Sequence, residues 1–272
     1  MLIGLLAALG AAVLFGFSAV LQAIAVRRSG MVSKLMVLVG AGYLLGWLMH
    51  LIAIDRLPLY LAQMAIGASL AVTALVASRM VHEPLQRRHW AAIAIMVAGF
   101  TLLIAAAGPA GDADDHGDLT TVLYACIAAI AVAGVLVAQW RRRRSGILLG
   151  CLAGLAYAGA PIATRALDDP ALDLRTAVPA TAIVLFGLIG FVLQSLALQR
   201  VSVTAAIAPM VLLETFVPAP VGVQIFHDGV RQGWGSVVVV GFLVATAGAL
   251  VLSGAEERLD HVEEVHVAHE PA

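Results

Sequence analysis

Long apolar stretches dominate the chain, and charged positions fall almost entirely between them. Nine stretches stand out, at about 2–26, 34–54, 58–80, 89–107, 119–139, 147–165, 177–198, 203–226 and 233–253. Each matches the roughly 20 residues that a helix needs to cross a hydrocarbon layer of about 30 Å. No polar/apolar alternation runs through them, so the strands of a membrane barrel are excluded. Inside lipid every backbone amide needs an internal partner, which makes each stretch a helix. The pattern predicts an all-α integral membrane protein of about nine transmembrane helices joined by short links. The first stretch is apolar from its second residue and lacks the basic start of a cleaved signal, so it reads as a retained span.

Composition supports this reading. The 272 residues are 61% hydrophobic and 12% charged, too little charge to cover a water-exposed surface of this size. A formal net charge of −1 gives no field for nucleic acid. Cys126 and Cys151 lie inside apolar runs and imply neither a disulfide framework nor a zinc site. The basic residues are distributed unevenly. Arg27, Arg28, Lys34, Arg79, Arg87, Arg88, Arg141 to Arg144, Arg200 and Arg258 fall on one side of a nine-span layout. Arg56, Arg165, Arg175 and Arg231 fall on the other, with most of the loop aspartates. The basic side is expected to be cytoplasmic. The N-terminus is then outside and the C-terminus inside, in a plasma membrane that the arginine bias suggests is bacterial and inner.

Offsetting the chain by 144 residues superimposes Gly46 on Gly190, Ala53 on Ala197, Arg56 on Arg200 and Trp90 on Trp234. One residue out of step, His82-Glu83-Pro84 meets His227-Asp228-Gly229. Two four-helix repeats follow, residues 1–107 and 147–254. Between them, 108–146 holds an acidic outer loop, a linking helix and an Arg-rich inner loop. Residues 255–272 form an acidic tail read as disordered. An odd number of helices separates the repeat starts, so the second repeat is inverted. Inverted repeats recur in secondary transporters because the two halves can exchange inward-open and outward-open shapes.

The stretch LLETFVPAPVGVQIFHDGV (212–230) resembles the "LLEPxxxxxLxxxxLGExx" pattern of the drug/metabolite transporter superfamily, with Glu214 on its first acid and Asp228 on its second. In the first half Glu83 falls on the second acid and Ser69 occupies the first. ALGAAVLFGFSAV (8–20) and GLAYAGAPIATRAL (154–167) are similar to the first helix of such repeats, so the resemblance spans nearly all of residues 1–255. It implies an EamA-like transporter. The common members have five helices per repeat and this chain has four, without the usual second helix. That 4+1+4 plan resembles the NIPA-type magnesium transporters. The unit is also similar to the small multidrug resistance proteins, but their first-helix acid is replaced here by Ser18, Ala19 and neighbours.

Glu214 is the one acid placed deep in a span, where a charge costs roughly 2.5–3.5 kcal/mol on insertion scales and needs a cavity, a cation, a proton or a partner. His50 and the repeat-equivalent Gln194, together with Gln63, Gln22 and Ser18, are the further candidates for substrate or ion binding. Ser69 and Thr164 add polar atoms. His50 also admits a reading as an interhelical hydrogen-bonding residue. Pro218 and Pro220 are expected to kink or interrupt span eight, and Pro161 to do the same in span six. Gly42 and Gly46, and Gly150 and Gly154, fit small-residue helix packing. The outer loop Asp112, Asp114, Asp115, His116 and Asp118 lacks EF-hand spacing and reads as a solvated turn.

No phosphate loop, hydrolase triad or HEXXH motif is present, so neither an enzyme nor an ATP-driven pump is expected, and no cofactor or metal site is implied. The expectation is a secondary transporter of a small metabolite or cation working by alternating access. Its partners are that substrate and membrane lipid, and a homodimer or membrane-complex partner remains open. The alternatives are a NIPA-like magnesium transporter, a non-transporting membrane scaffold, and a lipid-precursor flippase.

Overall fold

A computed structural model describes residues 1–28, 33–80, 86–109, 111, 117–140, 143–166, 174–248 and 250–251. The apolar stretches become helices almost residue for residue. They are α1 (Leu2–Arg28), α2 (Lys34–Arg56), α3 (Leu59–Gly67), α4 (Ser69–Met80), α5 (Arg87–Ala106) and α6 (Gly117–Gln139). Then follow α7 (Arg143–Arg165), α8 (Leu174–Leu198), α9 (Val203–Phe216) and α10 (Pro218–Gln224), and last α11 (Gly235–Gly248). Eight helical segments, counting α3–α4 and α9–α10 as one each, are long and apolar enough to span a membrane, and α11 is a shorter ninth. The chain is an all-α, multi-pass membrane protein. The aspartates of the acidic loop other than Asp118, the His82-Glu83-Pro84 link and the tail lie outside the described residues.

Polar residues in the links set the helix ends. The Ser33 hydroxyl accepts from the Met36 amide (3.3 Å) at the start of α2, and Ser202 accepts from Ala205 (3.3 Å) at the start of α9. Arginines cover the orphan carbonyls at the opposite ends. Arg27 donates to Leu198 O (3.2 Å) and Val201 O (2.8 Å). Arg200 donates to Ala138 O (2.7 Å), Trp140 O (3.0 Å) and the Ser145 hydroxyl (2.7 Å). Residues that mark the basic side in the sequence thus also cap helices at one end of the bundle.

Packing follows the same scheme in each half. α1 lies against α2 and the α3–α4 segment, and α7 lies against α8 and α9. The halves meet where α3 touches α9 and α10, and where α1 touches α8. Glycines permit the close approaches. A Cβ added at Gly42 would fall 2.3 Å from the Ser18 hydroxyl, and one at Gly154 would fall 2.4 Å from the Met210 carbonyl. α6 packs on α7 and α8 and turns Val122, Val132, Val135 and Leu136 outward. On a span, such exposed apolar surface faces lipid.

Three prolines and one alanine govern helix continuity. α9 ends at Val217 and Pro218 opens α10 at its first turn, where its missing amide costs nothing. Pro220 sits inside that short segment and is exposed. At Pro161, read as a kink or an interruption, there is no interruption: α7 runs from Arg143 to Arg165 through it. One lost i→i−4 bond is tolerated where packed helices hold both halves in line, as α8 and α9 do here. The only proline of span three is Pro58 at its start, yet that span breaks at Ala68, whose amide bonds to Ala65 O (3.1 Å) in a tightened turn. At the start of α4 the Ser69 carbonyl accepts from Thr73 Oγ1 (2.9 Å), and Gly16 of α1 lies close against it.

Candidate functional site

Between the halves, at mid-length of the long helices, lies a cavity of about 390 Å³. α1 and α2 contribute Phe15, Tyr43, Trp47 and His50; α4 contributes Ser69 and Thr73. α3 adds Ile66, and α7, α8 and α9 contribute Tyr157, Pro161, Phe191 and Glu214 among others. The walls are aromatic and aliphatic, with a few polar groups set among them. Glu214 carries the one carboxylate in the lining, and among the described residues no hydrogen bond or ion pair reaches it. Its side chain is partly open to the cavity.

Ser69, which stands where the motif's first acid is expected, lies on the cavity wall with its counterpart Glu214. Both belong to segments that are broken close by, at Ala68 and at Val217. His50 lies on the wall and is buried, and its Nε2 is 3.2 Å from the Gln63 amide nitrogen. That nitrogen can only donate, so the His50 proton belongs on Nδ1. Nδ1 and the Gln63 Oε1 are buried without a partner.

The remaining candidates serve beside the cavity rather than on its wall. The Tyr157 hydroxyl donates to Gln194 Oε1 (2.9 Å), and Gln194 Nε2 donates to the Tyr43 hydroxyl (2.8 Å). Tyr43 donates to Gln22 Oε1 (2.9 Å), and Gln22 Nε2 donates to Ser195 Oγ (2.7 Å). This directed relay ties α7, α8, α2 and α1 together on the side of the cavity nearer the basic end. Gln22 and Gln194 are fully buried and hold the halves together. Ser18 packs against Gly42, outside the cavity lining. Thr164 Oγ1 donates back to Ala160 O (2.9 Å) within its own helix.

The opposite end holds a feature the sequence did not reveal. Asp228 and Arg165 form an ion pair of 2.6 Å, with side-chain exposures of 0% and 10%. Asp228 Oδ2 also accepts from the Leu59 amide at the start of α3 (2.6 Å), and Oδ1 from Gly111 N (2.9 Å). Arg165 donates further to Ile54 O (3.0 Å) and Gly111 O (3.0 Å) and lies over the Phe226 ring at 5.6 Å. A Cβ at Gly111 would meet Phe226 O at 1.9 Å, so only glycine fits there. Ala107 and Val230 pair backbones, and Tyr60 donates to Gly229 O (3.2 Å). This clasp joins the end of α2, the start of α3 and the loop after α5 to the second half. Arg165 and Asp228 are 63 residues apart, and neither has a local pattern that would pair them. The only sequence signals were an arginine on the arginine-poor side and an acid in the motif.

Fold and site together define a polytopic helical membrane protein with a cavity at the junction of two similarly packed halves. No family model, curated protein or solved structure matches the chain. Among the described residues, no three His, Cys, Asp or Glu side chains gather as a metal-holding group.

Proposed function

We propose that this protein is a secondary transporter of the drug/metabolite transporter type that moves a small metabolite or cation by alternating access, with Glu214 as its binding carboxylate. The carrying observation is the unpaired Glu214 carboxylate facing a 390 Å³ cavity where the halves meet. A scaffold gains nothing from such a group, because a partnerless charge in a span costs stability. The paired packing of the halves and the breaks beside Ser69 and Glu214 fit an inverted-repeat machine whose halves rock about the site. In this reading the basic end faces the cytoplasm. The donor set favours a singly charged organic cation over magnesium. Mg²⁺ keeps several waters and binds one or two carboxylates in near-octahedral order, whereas these walls are chiefly apolar with a single acid.

The test is uptake into vesicles reconstituted with the purified protein, using a panel of organic amines, metabolites and Mg²⁺. Wild type should accumulate at least one monocationic solute and Glu214→Gln should lose that flux. Undiminished flux in Glu214→Gln would remove the carboxylate from the mechanism.

A further inference from the structure

The cavity meets the protein surface in the middle of the spans. Three of its lining residues are strongly exposed: Leu44 on α2 at 58%, Val184 on α8 at 67% and Leu188 on α8 at 58%. All three are apolar and lie near mid-length of helices of 23 and 25 residues. Between the two α8 residues sits Gly187, also in the lining, and a Cβ built there meets no atom within 4 Å. α2 and α8 do not pack along their lengths. They are linked toward the basic end, where Gln194 donates to Tyr43 and the Tyr43 and Phe191 rings meet edge-on at 6.0 Å. Toward the other end the Asp228 and Arg165 clasp draws the halves together. Polar locks therefore stand at both water-facing ends of the site, and the gap lies between them at hydrocarbon depth.

We propose that this gap is a lateral portal, and that the site receives an amphiphilic amine already dissolved in the bilayer. The proposal rests on the transport reading above and names its route and substrate class. The cationic head meets Glu214, while the apolar body lies against Trp47 and Phe191 and leads out past Val184 and Leu188. Charge complementarity selects the head, since Glu214 is the one acidic side chain in the lining. The aromatic walls suit a desolvated cation. A water-confined ion such as hydrated magnesium has no reason to approach from this side.

The test uses the full chain in lipid nanodiscs, with Cys126→Ala and Cys151→Ala removing the native thiols and Ile207→Cys placing one on the far wall. Ile207 lines the cavity from α9 and is 1% exposed. Lipid-soluble N-phenylmaleimide should label the thiol, and a sulfonated, water-confined methanethiosulfonate should not. Adding Gly187→Phe should abolish labelling by filling the gap, while Gly40→Phe, at an open position on α2 outside the cavity, should leave it intact. Dodecylamine should protect the thiol, and Glu214→Gln should remove that protection. Equal labelling by the water-confined reagent, no labelling by either, or indifference to Gly187→Phe would overturn the portal. Labelling needs no transport, so the expected pattern with no amine flux in vesicles would reject the transport reading and leave the portal standing.

Discussion

Asp228→Ala should be among the most destabilising single changes in the molecule. The carboxylate is fully buried and takes hydrogen bonds from Arg165, the Leu59 amide and the Gly111 amide. Its removal strands a guanidinium that is 10% exposed, with, among the described residues, the Ile54 and Gly111 carbonyls and the Phe226 ring left to it. Removing one member of a buried ion pair costs about 3–5 kcal/mol, because the surviving charge stays desolvated. Two orphaned amides push the value toward the top of that range. Asp228→Asn keeps one oxygen acceptor and should cost less, roughly 2 kcal/mol. Asp228→Ala combined with Arg165→Met removes both charges and should recover part of the loss. Equilibrium unfolding in mixed detergent and SDS micelles reads all three. The reasoning is refuted if Asp228→Ala lies within about 1 kcal/mol of wild type and the double variant is no more stable than the single one.

Two further outcomes follow from the packing and the relay. Gly154→Ala should destabilise by about 1–3 kcal/mol, because its Cβ would sit 2.4 Å from the Met210 carbonyl on α9. Gly187→Ala, which meets open space, should be neutral or gain up to about 1 kcal/mol in the same assay. Equal effects at the two positions would contradict the helix spacing. Tyr43→Phe removes the hydroxyl that accepts from Gln194 and donates to Gln22, leaving two buried amide groups short of a partner. A loss of about 1–2 kcal/mol is expected, at the upper end of interhelical hydrogen bonds in membranes, and an unchanged unfolding curve would show that the relay holds nothing.

The apolar runs by themselves determined the helical class, the number of spans and their limits, because a backbone in lipid has no alternative to internal hydrogen bonding. Glu214 was legible for the same reason: a lone acid in a 20-residue apolar stretch is costly and therefore noticeable. The glycines at 42, 46, 150 and 154 were legible as packing positions, and the structure puts Gly42 against Ser18 and Gly154 against α9. Other features depended on where helices distant in the chain come to lie. Gln22 and Gln194 read as possible ligands, yet Tyr43, Tyr157 and Ser195 satisfy their amides. Arg165 and Asp228 read as loop charges, yet the fold buries them as a pair. Pro161 read as a kink or a break, and α7 runs through it without a break, while span three breaks at Ala68, ten residues from its one proline, Pro58. Hydrophobicity is a property of each residue and its neighbours, so the chain displays it directly. Whether a polar side chain is satisfied or left free to bind depends on partners up to 173 residues away, and only the packed bundle brings those together.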